Sequence, residues 1–348
     1  MKKYLTVFLV IIFSLSLVLA GCSSQEAASN SKQSLLDTVK KRDKVIAGVN
    51  GELPGFSFLE TNGSYSGFDA DFSRAIAAAV LGDASKVEFR PLSSKERFTA
   101  VQTGEVDVLV RNTTWTIIRD TEVGLNFAPT TFYDGQGIIV HKGSGIKTIK
   151  DLEGARIAVE SGTTTELNLA DQMRKYGVSY EAVVYDSQDA AIAAYESGSV
   201  DAYTTDKSGL VARQAIMADP SAHLILEATL SKEPLAPAVL GGDDKWYDII
   251  KWVIFATIEA EELGITSQNV DTFLTSPDPV VQRLLGVDGD LGQKLGLNND
   301  FAYQVIKQVG NYGEIFERNL GKNTKFGLDR GMNDLHFNGG LLYSPPFR

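Results

Sequence analysis

The sequence of 348 residues is poor in the residues that build covalent or metal scaffolds, with one cysteine and three histidines. A lone cysteine cannot close an internal disulfide, so no disulfide framework holds this chain. His141, His223 and His336 lie far apart and form no metal-ligand spacing such as His-Glu-x-x-His. Asp288-Gly289-Asp290 echoes a calcium loop without the remaining ligands at the required positions. A Gly-x-Ser-x-Gly elbow, a Gly-x-Gly-x-x-Gly turn and a P-loop are also absent. No catalytic residue, metal or cofactor is therefore expected. Basic residues are in deficit, 33 against 44 acidic, for a net charge of −11. That sign argues against nucleic acid as a partner.

What is present begins at the N-terminus. Lys2 and Lys3 precede an apolar run over 7–12 that continues with two serines to Ala20. The run is short for a membrane span and reads as a secretory n-region and h-region. It ends in Leu19-Ala20-Gly21-Cys22, which resembles the bacterial lipobox. That resemblance implies a signal peptide over 1–21 and a multiply acylated Cys22, since one chain binds membranes marginally and several anchor firmly. A signal that merely ends near a cysteine is the alternative. A lipid gives the single cysteine of an exported chain a use. Losing Lys2 and Lys3 with the signal leaves 44 acidic against 31 basic residues, a net −13. Residues 22–34 are small and polar, a flexible tether. The folded part then holds a little over 300 residues, above the size of roughly 250–300 at which single cores stop growing, so two lobes are expected.

Strands and helices alternate from Leu35 onward. Val45-Ile46-Ala47-Gly48-Val49 reads as a strand, and 68–81 as a helix with Phe68, Phe72, Ile76 and Val80 on one face, ended by Gly82. A strand over 87–92, a helix over 95–102 and a strand over 106–110 complete a β-α-β-α-β unit. After an extended crossing stretch around 138–141 the pattern restarts: strand 156–159, helix 164–176 closed by Gly177, strand 182–185, helix 187–197, strand 200–204. The Pro-marked stretch 233–240 reads as the second crossing. The last hundred residues are mostly helical, with a stripe of Ile249, Val253, Ala256 and Ala260 that calls for docking on the first lobe. The expected division is lobe 1 over 35–137, lobe 2 over 138–233 with crossings at its ends, and a return to lobe 1 with a helical C-terminal extension over 234–348.

Five segments resemble, in order, the family 3 solute-binding proteins, the polar amino-acid receptors of ABC importers. Gly67-Phe68-Asp69-Ala70-Asp71-Phe72 is similar to the family's Gly-Phe-Asp-x-Asp-Leu signature. Pro54-Gly55-Phe56-Ser57-Phe58 resembles its first pocket loop, and Gly104-Glu105-Val106-Asp107-Val108 the strand leading into the site. Thr113-Thr114-Trp115-Thr116 with Arg119 resembles its Met-Thr-x-Thr-x-x-Arg loop, and Ser161-Gly162-Thr163-Thr164 its Ser-Gly-Thr loop. Together they span about 44–242. The wording Arg111-Asn112-Thr113-Thr114-Trp115-Thr116 and the long tail resemble the general L-amino acid binding branch, which is longer and broad in specificity.

The resemblance implies an α/β, two-lobe periplasmic-binding-protein-like fold of type II, each lobe a mostly parallel sheet flanked by helices. It implies free L-amino acids as ligands, a permease–ATPase complex as partner and an extracytoplasmic place, on the outer face of the cytoplasmic membrane or in the periplasm. A monomer without enzymatic activity is expected. A dehydratase using the same cleft, with Glu160 the nearest acid or base, and a ligand-sensing receptor partner are the alternatives.

A zwitterionic ligand needs a cation and an anion at fixed separation. Arg119 offers a planar fork matched to a carboxylate, and Asn112, Thr114 and Thr116 offer further polar groups beside it; a solvated loop arginine is the alternative. Thr163 and Thr164 open a helix whose free N–H groups suit an anion, although Thr163 with Glu166 also fits a capping box. Asp206 follows the last strand of lobe 2, where the family places its amino-group acceptor, and also reads as a helix N-cap. Leu53 and Ser94 stand where such receptors often carry aromatic rings, with Phe56 the nearby aromatic. Selectivity is then expected from cavity size and a few polar groups.

Overall fold

The computed structural model describes residues 34–348. The signal peptide and the lipidation of Cys22 concern residues outside those described, as does all but the end of the tether. The strand Val45–Val49 is apolar on both faces because it is covered on both, and it lies inside a five-stranded sheet. The order is Val87–Pro91, Val45–Val49, Val108–Leu109, Ala238–Leu240, Leu125–Phe127. The second sheet repeats this plan: Glu181–Tyr185, Arg156–Glu160, Ala202–Asp206, Gln136–His141, His223–Ile225. In each, four strands run one way and one runs against them, Ala238–Leu240 in the first and Gln136–His141 in the second. Each lobe is thus the mostly parallel, helix-flanked sheet that the β-α-β order implies.

The reversed strand of each sheet is supplied by a segment arriving from the other lobe. Residues 138–141, expected as a crossing stretch, are therefore an interior strand of the second sheet. The crossing is an antiparallel ribbon of Phe132–Asp134 with Glu233–Leu235. Pro234 is tolerated there because only its carbonyl is needed, accepting from Trp115 N at 2.9 Å.

Helix Phe68–Leu81 ends, as its pattern predicts, at a left-handed Gly82 (φ 69°) that donates to Ala78 O. The helix is buried on nearly all sides, between the first sheet and the C-terminal helices Asp244–Glu262, Phe301–Gln308 and Tyr312–Asn319, all within one core. Gly67, at φ 120°, precedes it where a Cβ would stand 2.3 Å from the Phe56 carbonyl oxygen, so the signature glycine is sterically required. Beyond these helices the chain straps the crossing ribbon: Tyr312 Oη donates to Thr131 O at 2.7 Å, and the Asn333 amide pairs with both backbone groups of Tyr133 at 2.6 and 3.1 Å. Arg330 locks this region with a two-pronged contact to Glu261 at 2.9 and 3.1 Å. Among the described residues no helix is long and apolar enough to cross a membrane.

Candidate ligand-binding site

The first lobe presents a loop after strand Val108–Leu109, and the loop's shape is fixed by backbone chemistry. Asn112 has φ 25°, a conformation seldom adopted outside glycine. Asp69 holds it by accepting from Asn112 N at 2.8 Å, and Asn50 donates to its side-chain oxygen at 3.0 Å. Burial pushes the Asp69 carboxyl up to about 6, against the Asn112 N–H and Arg111. The Gly-Phe-Asp motif thus builds the loop and stays out of the cavity. Thr116 caps the short helix Ile117–Thr121 by accepting from Arg119 N at 3.3 Å. Arg119 turns back, donates to Thr114 O at 2.7 Å and lies 5.1 Å over the Phe98 ring. Burial lowers its pKa to about 10, with Glu233 and then Asp206 opposing.

The second lobe contributes the N-terminus of helix Thr164–Tyr176. Thr163 Oγ1 accepts from Glu166 N at 3.3 Å, while the Glu166 carboxylate accepts from Gly162 N at 3.2 Å, so only one half of the expected capping box forms. Asp206 precedes helix Lys207–Gln214 but makes no capping hydrogen bond. Asp134 from the crossing ribbon does that work, accepting from Ser208 N at 3.3 Å and from the Ser208 hydroxyl. Asp206 is left 7 % exposed as a residue, and its carboxylate has no hydrogen-bond partner among the described residues. Burial holds it well above the ordinary carboxylate range, reinforced by Asp134 and Glu233 and opposed by Arg97 and Arg119.

Between the lobes lies a narrow polar cavity of about 20 Å³. Ser94, Arg97, Arg111, Asn112 and Thr114 line it from the first lobe, and Glu160, residues 163–165, Gln188 and Asp206 from the second. Six of the ten side chains singled out from the sequence as ligand contacts meet there. The other four lie outside the wall. Leu53 is buried toward the second lobe, where a Cβ at Gly209 would stand 3.7 Å from it. Phe56 is core, edge-on to Phe132 at 5.2 Å and Phe68 at 6.0 Å. Thr116 serves as a cap, and Arg119 stands behind Thr114. The Thr114 and Thr164 hydroxyls both donate to Glu233, at 2.5 and 2.9 Å, and Asn168 Nδ2 adds a third bond at 2.7 Å. A carboxylate of the return crossing thereby ties the two threonine loops together.

Sequence reasoning missed Arg97, Arg111, Gln188 and Glu233 as site residues, and considered Glu160 only as an acid or base. Arg111 carried a readable signal, since it directly follows the apolar run 108–110 and a charge at the inner end of a buried strand needs a purpose. Arg97 Nε, Arg111 Nη1, Ser94 Oγ and Gln188 Oε1 are buried without a hydrogen-bond partner among the described residues. Burial, with Arg111 and Arg119 nearby, lowers the Arg97 pKa. No group of His, Cys, Asp and Glu able to hold a metal occurs among the described residues.

Known proteins resemble this chain over most of its length. The family model for bacterial extracellular solute-binding proteins, family 3, matches residues 45–269. The general L-amino acid-binding periplasmic protein of Rhizobium johnstonii is 50 % identical over 323 residues, 92 % of this chain and 95 % of that one. A glutamate/glutamine/aspartate/asparagine-binding protein of Rhodobacter capsulatus is 47 % identical over 322 residues, with 92 % and 95 % covered. Among solved structures, a periplasmic binding protein from Brucella ovis with glutathione bound superimposes with a TM-score of 0.89 at 47 % identity, covering 90 % of this chain and 99 % of that one.

Proposed function

The chain belongs to the bacterial extracellular solute-binding proteins, family 3, and from that premise we propose that it is the extracytoplasmic binding component of an amino-acid importer of the ABC class. Free L-amino acids are its ligands. The observation that carries this reading is Asp206, a buried carboxylate in the cleft wall whose capping duty has been taken over by Asp134. A ligand ammonium matches it. The α-carboxylate is served by Arg97 in the cavity wall, with the charge of Arg119 behind Thr114, and by the N–H groups that open helix Thr164–Tyr176. A ligand bound this way touches both lobes, so its contacts favour the closed arrangement, and closure is ligand-linked.

The partner is a membrane permease with its ATPase, and the protein works as a monomer held to the membrane by lipid on Cys22. Binding without turnover is the reading favoured by Glu160, the nearest acid or base, because it faces Arg111 across the lobes at 3.8 Å as an ion-pair partner. The direct test is a thermal-shift screen of the twenty L-amino acids, with glutathione on the same panel, followed by calorimetry of the hits. Several L-amino acids should bind with micromolar affinity or better, about −8 kcal/mol, and be recovered unchanged. A protein that binds none of them, or that converts them, defeats the proposal.

A further inference from the structure

The α-group contacts leave part of the cavity wall unexplained. Arg111 is 3 % exposed, and its Nε donates to Leu92 O at 2.8 Å. Its Nη2 stands 3.8 Å from Glu160 Oε1, beyond hydrogen-bond range, and its Nη1 has no partner among the described residues. Gln188, 5 % exposed, likewise has an unpartnered Oε1. A buried donor or acceptor without a partner is costly, so a ligand group that satisfies it gains affinity. Arg111 comes from the first lobe, Glu160 and Gln188 from the second, and all three line the one cavity. Arg111 and Glu160 also line a second, roomier cavity of about 270 Å³ with Asn50, Glu52, Tyr65 and Ser187. The pair is the shared wall, and a side chain reaching it has space beyond.

We propose that Arg111, Glu160 and Gln188 form a side-chain subsite selecting amino acids that end in a carboxamide, and next in a carboxylate. The subsite rests on the reading that Asp206 and the cationic side of the cleft, Arg97 backed by Arg119, hold the α-groups. A carboxamide is the best match. Its oxygen accepts from Arg111 Nη1 and its NH2 donates to Gln188 Oε1 or Glu160. A carboxylate takes the Arg111 donor, and the Gln188 amide can turn to donate its NH2, but Glu160 repels it. An aliphatic side chain satisfies none of these groups. A cationic side chain is attracted by Glu160 and repelled by Arg111 and Arg97. The expected order is amide, acid, aliphatic, then basic.

The test is calorimetric titration of L-glutamine, L-glutamate and L-alanine into the wild type, Arg111→Met and Gln188→Met, each checked for folding by thermal melting. In the wild type glutamine should bind at least tenfold tighter than alanine. Arg111→Met should lower that ratio at least tenfold, and Gln188→Met should lower the glutamine-to-glutamate ratio at least threefold. Because Arg111 also holds Leu92, Gln188→Met alone decides the matter if Arg111→Met does not fold. Ratios unmoved in the folded variants, or all three ligands weakened equally, overturn the subsite and leave the amino-acid receptor standing. A wild type that binds none of the three overturns both.

Discussion

Replacing Asp206 with asparagine should move ligand affinity and ligand-free stability in opposite directions. The side chains are nearly isosteric, so the cavity keeps its shape while the charge disappears. In the proposed complex the carboxylate is one partner of a buried charge pair. Removing such a partner costs about 2–5 kcal/mol, so affinity should fall at least a hundredfold, roughly 3 kcal/mol. Without ligand the same carboxylate is a burden. Burial, and then Asp134 and Glu233, raise its pKa well above the ordinary 3.8. A carboxyl raised by the fold adds no cost while protonated, below about pH 4, and costs progressively more as pH climbs through its folded value. Asparagine carries no such cost. Asp206→Asn should therefore melt higher than the wild type at pH 7.5, by on the order of 1–3 kcal/mol, with the gain fading toward pH 4. Calorimetric titration with L-glutamine and melting curves across that pH range measure both arms. A folded variant that binds near wild-type affinity, or is less stable without ligand at pH 7.5, refutes the argument that Asp206 is an unpaired anion awaiting a cation.

Arg119→Ala should also weaken binding at least a hundredfold, read by the same titration, because it removes the buried cation opposite Asp206. Cys22→Ser should release the protein from membranes into the aqueous fraction, and mass spectrometry of the mature wild-type N-terminus should find acyl groups; a cleaved but unacylated terminus defeats the anchor. Several chemically different L-amino acids should bind within about thirtyfold of one another, near 2 kcal/mol, with D-isomers weak; a thousandfold preference for a single one, measured by direct titration, sinks the broad reading. His223 is pushed below its ordinary 6.5 by burial and by His141, with Glu196 and Asp219 opposing, and its Nδ1 lies 2.7 Å from Tyr195 Oη. Its contribution to stability is present above about pH 6.5 and lost as pH falls below it, so the wild-type melting temperature should drop more between pH 7.5 and 5.5 than that of His223→Gln.

Elements whose pattern was complete within themselves were legible in the sequence. Helix Thr164–Tyr176 carries its own N-cap threonine and C-cap glycine, and its ends fall where the sequence places them. Strand Val45–Val49 reads as buried because all five residues are apolar. Elements completed by distant partners were less legible. Strand Gln136–His141 looks like a crossing stretch because its neighbours, Ala202–Asp206 and His223–Ile225, arrive more than sixty residues later. Leu53 was weighed as a pocket residue from its place in the family resemblance, and Phe56 as the aromatic of the same loop. Their apolar side chains are better served against Gly209 and the Phe68 and Phe132 rings.

The site divides along the same line. Residues whose type matches a ligand charge, such as Asp206, could be named from one sequence. What could not be read is which competing duty each has been relieved of. Asp206 had two readings, N-cap by local rules or ammonium acceptor by resemblance, and the capping role is taken by Asp134, 72 positions earlier in the crossing ribbon. Thr114 and Thr164 look like free hydroxyl donors until Glu233 takes both. In each case the deciding residue sits in the ribbon that joins the lobes, where Asp134 faces Glu233 in strand register. The two carboxylates that bond to the cleft loops therefore lie on the element that joins the lobes. Ligand contacts and lobe geometry share their side chains there, which is the physical basis for expecting binding and closure to be coupled.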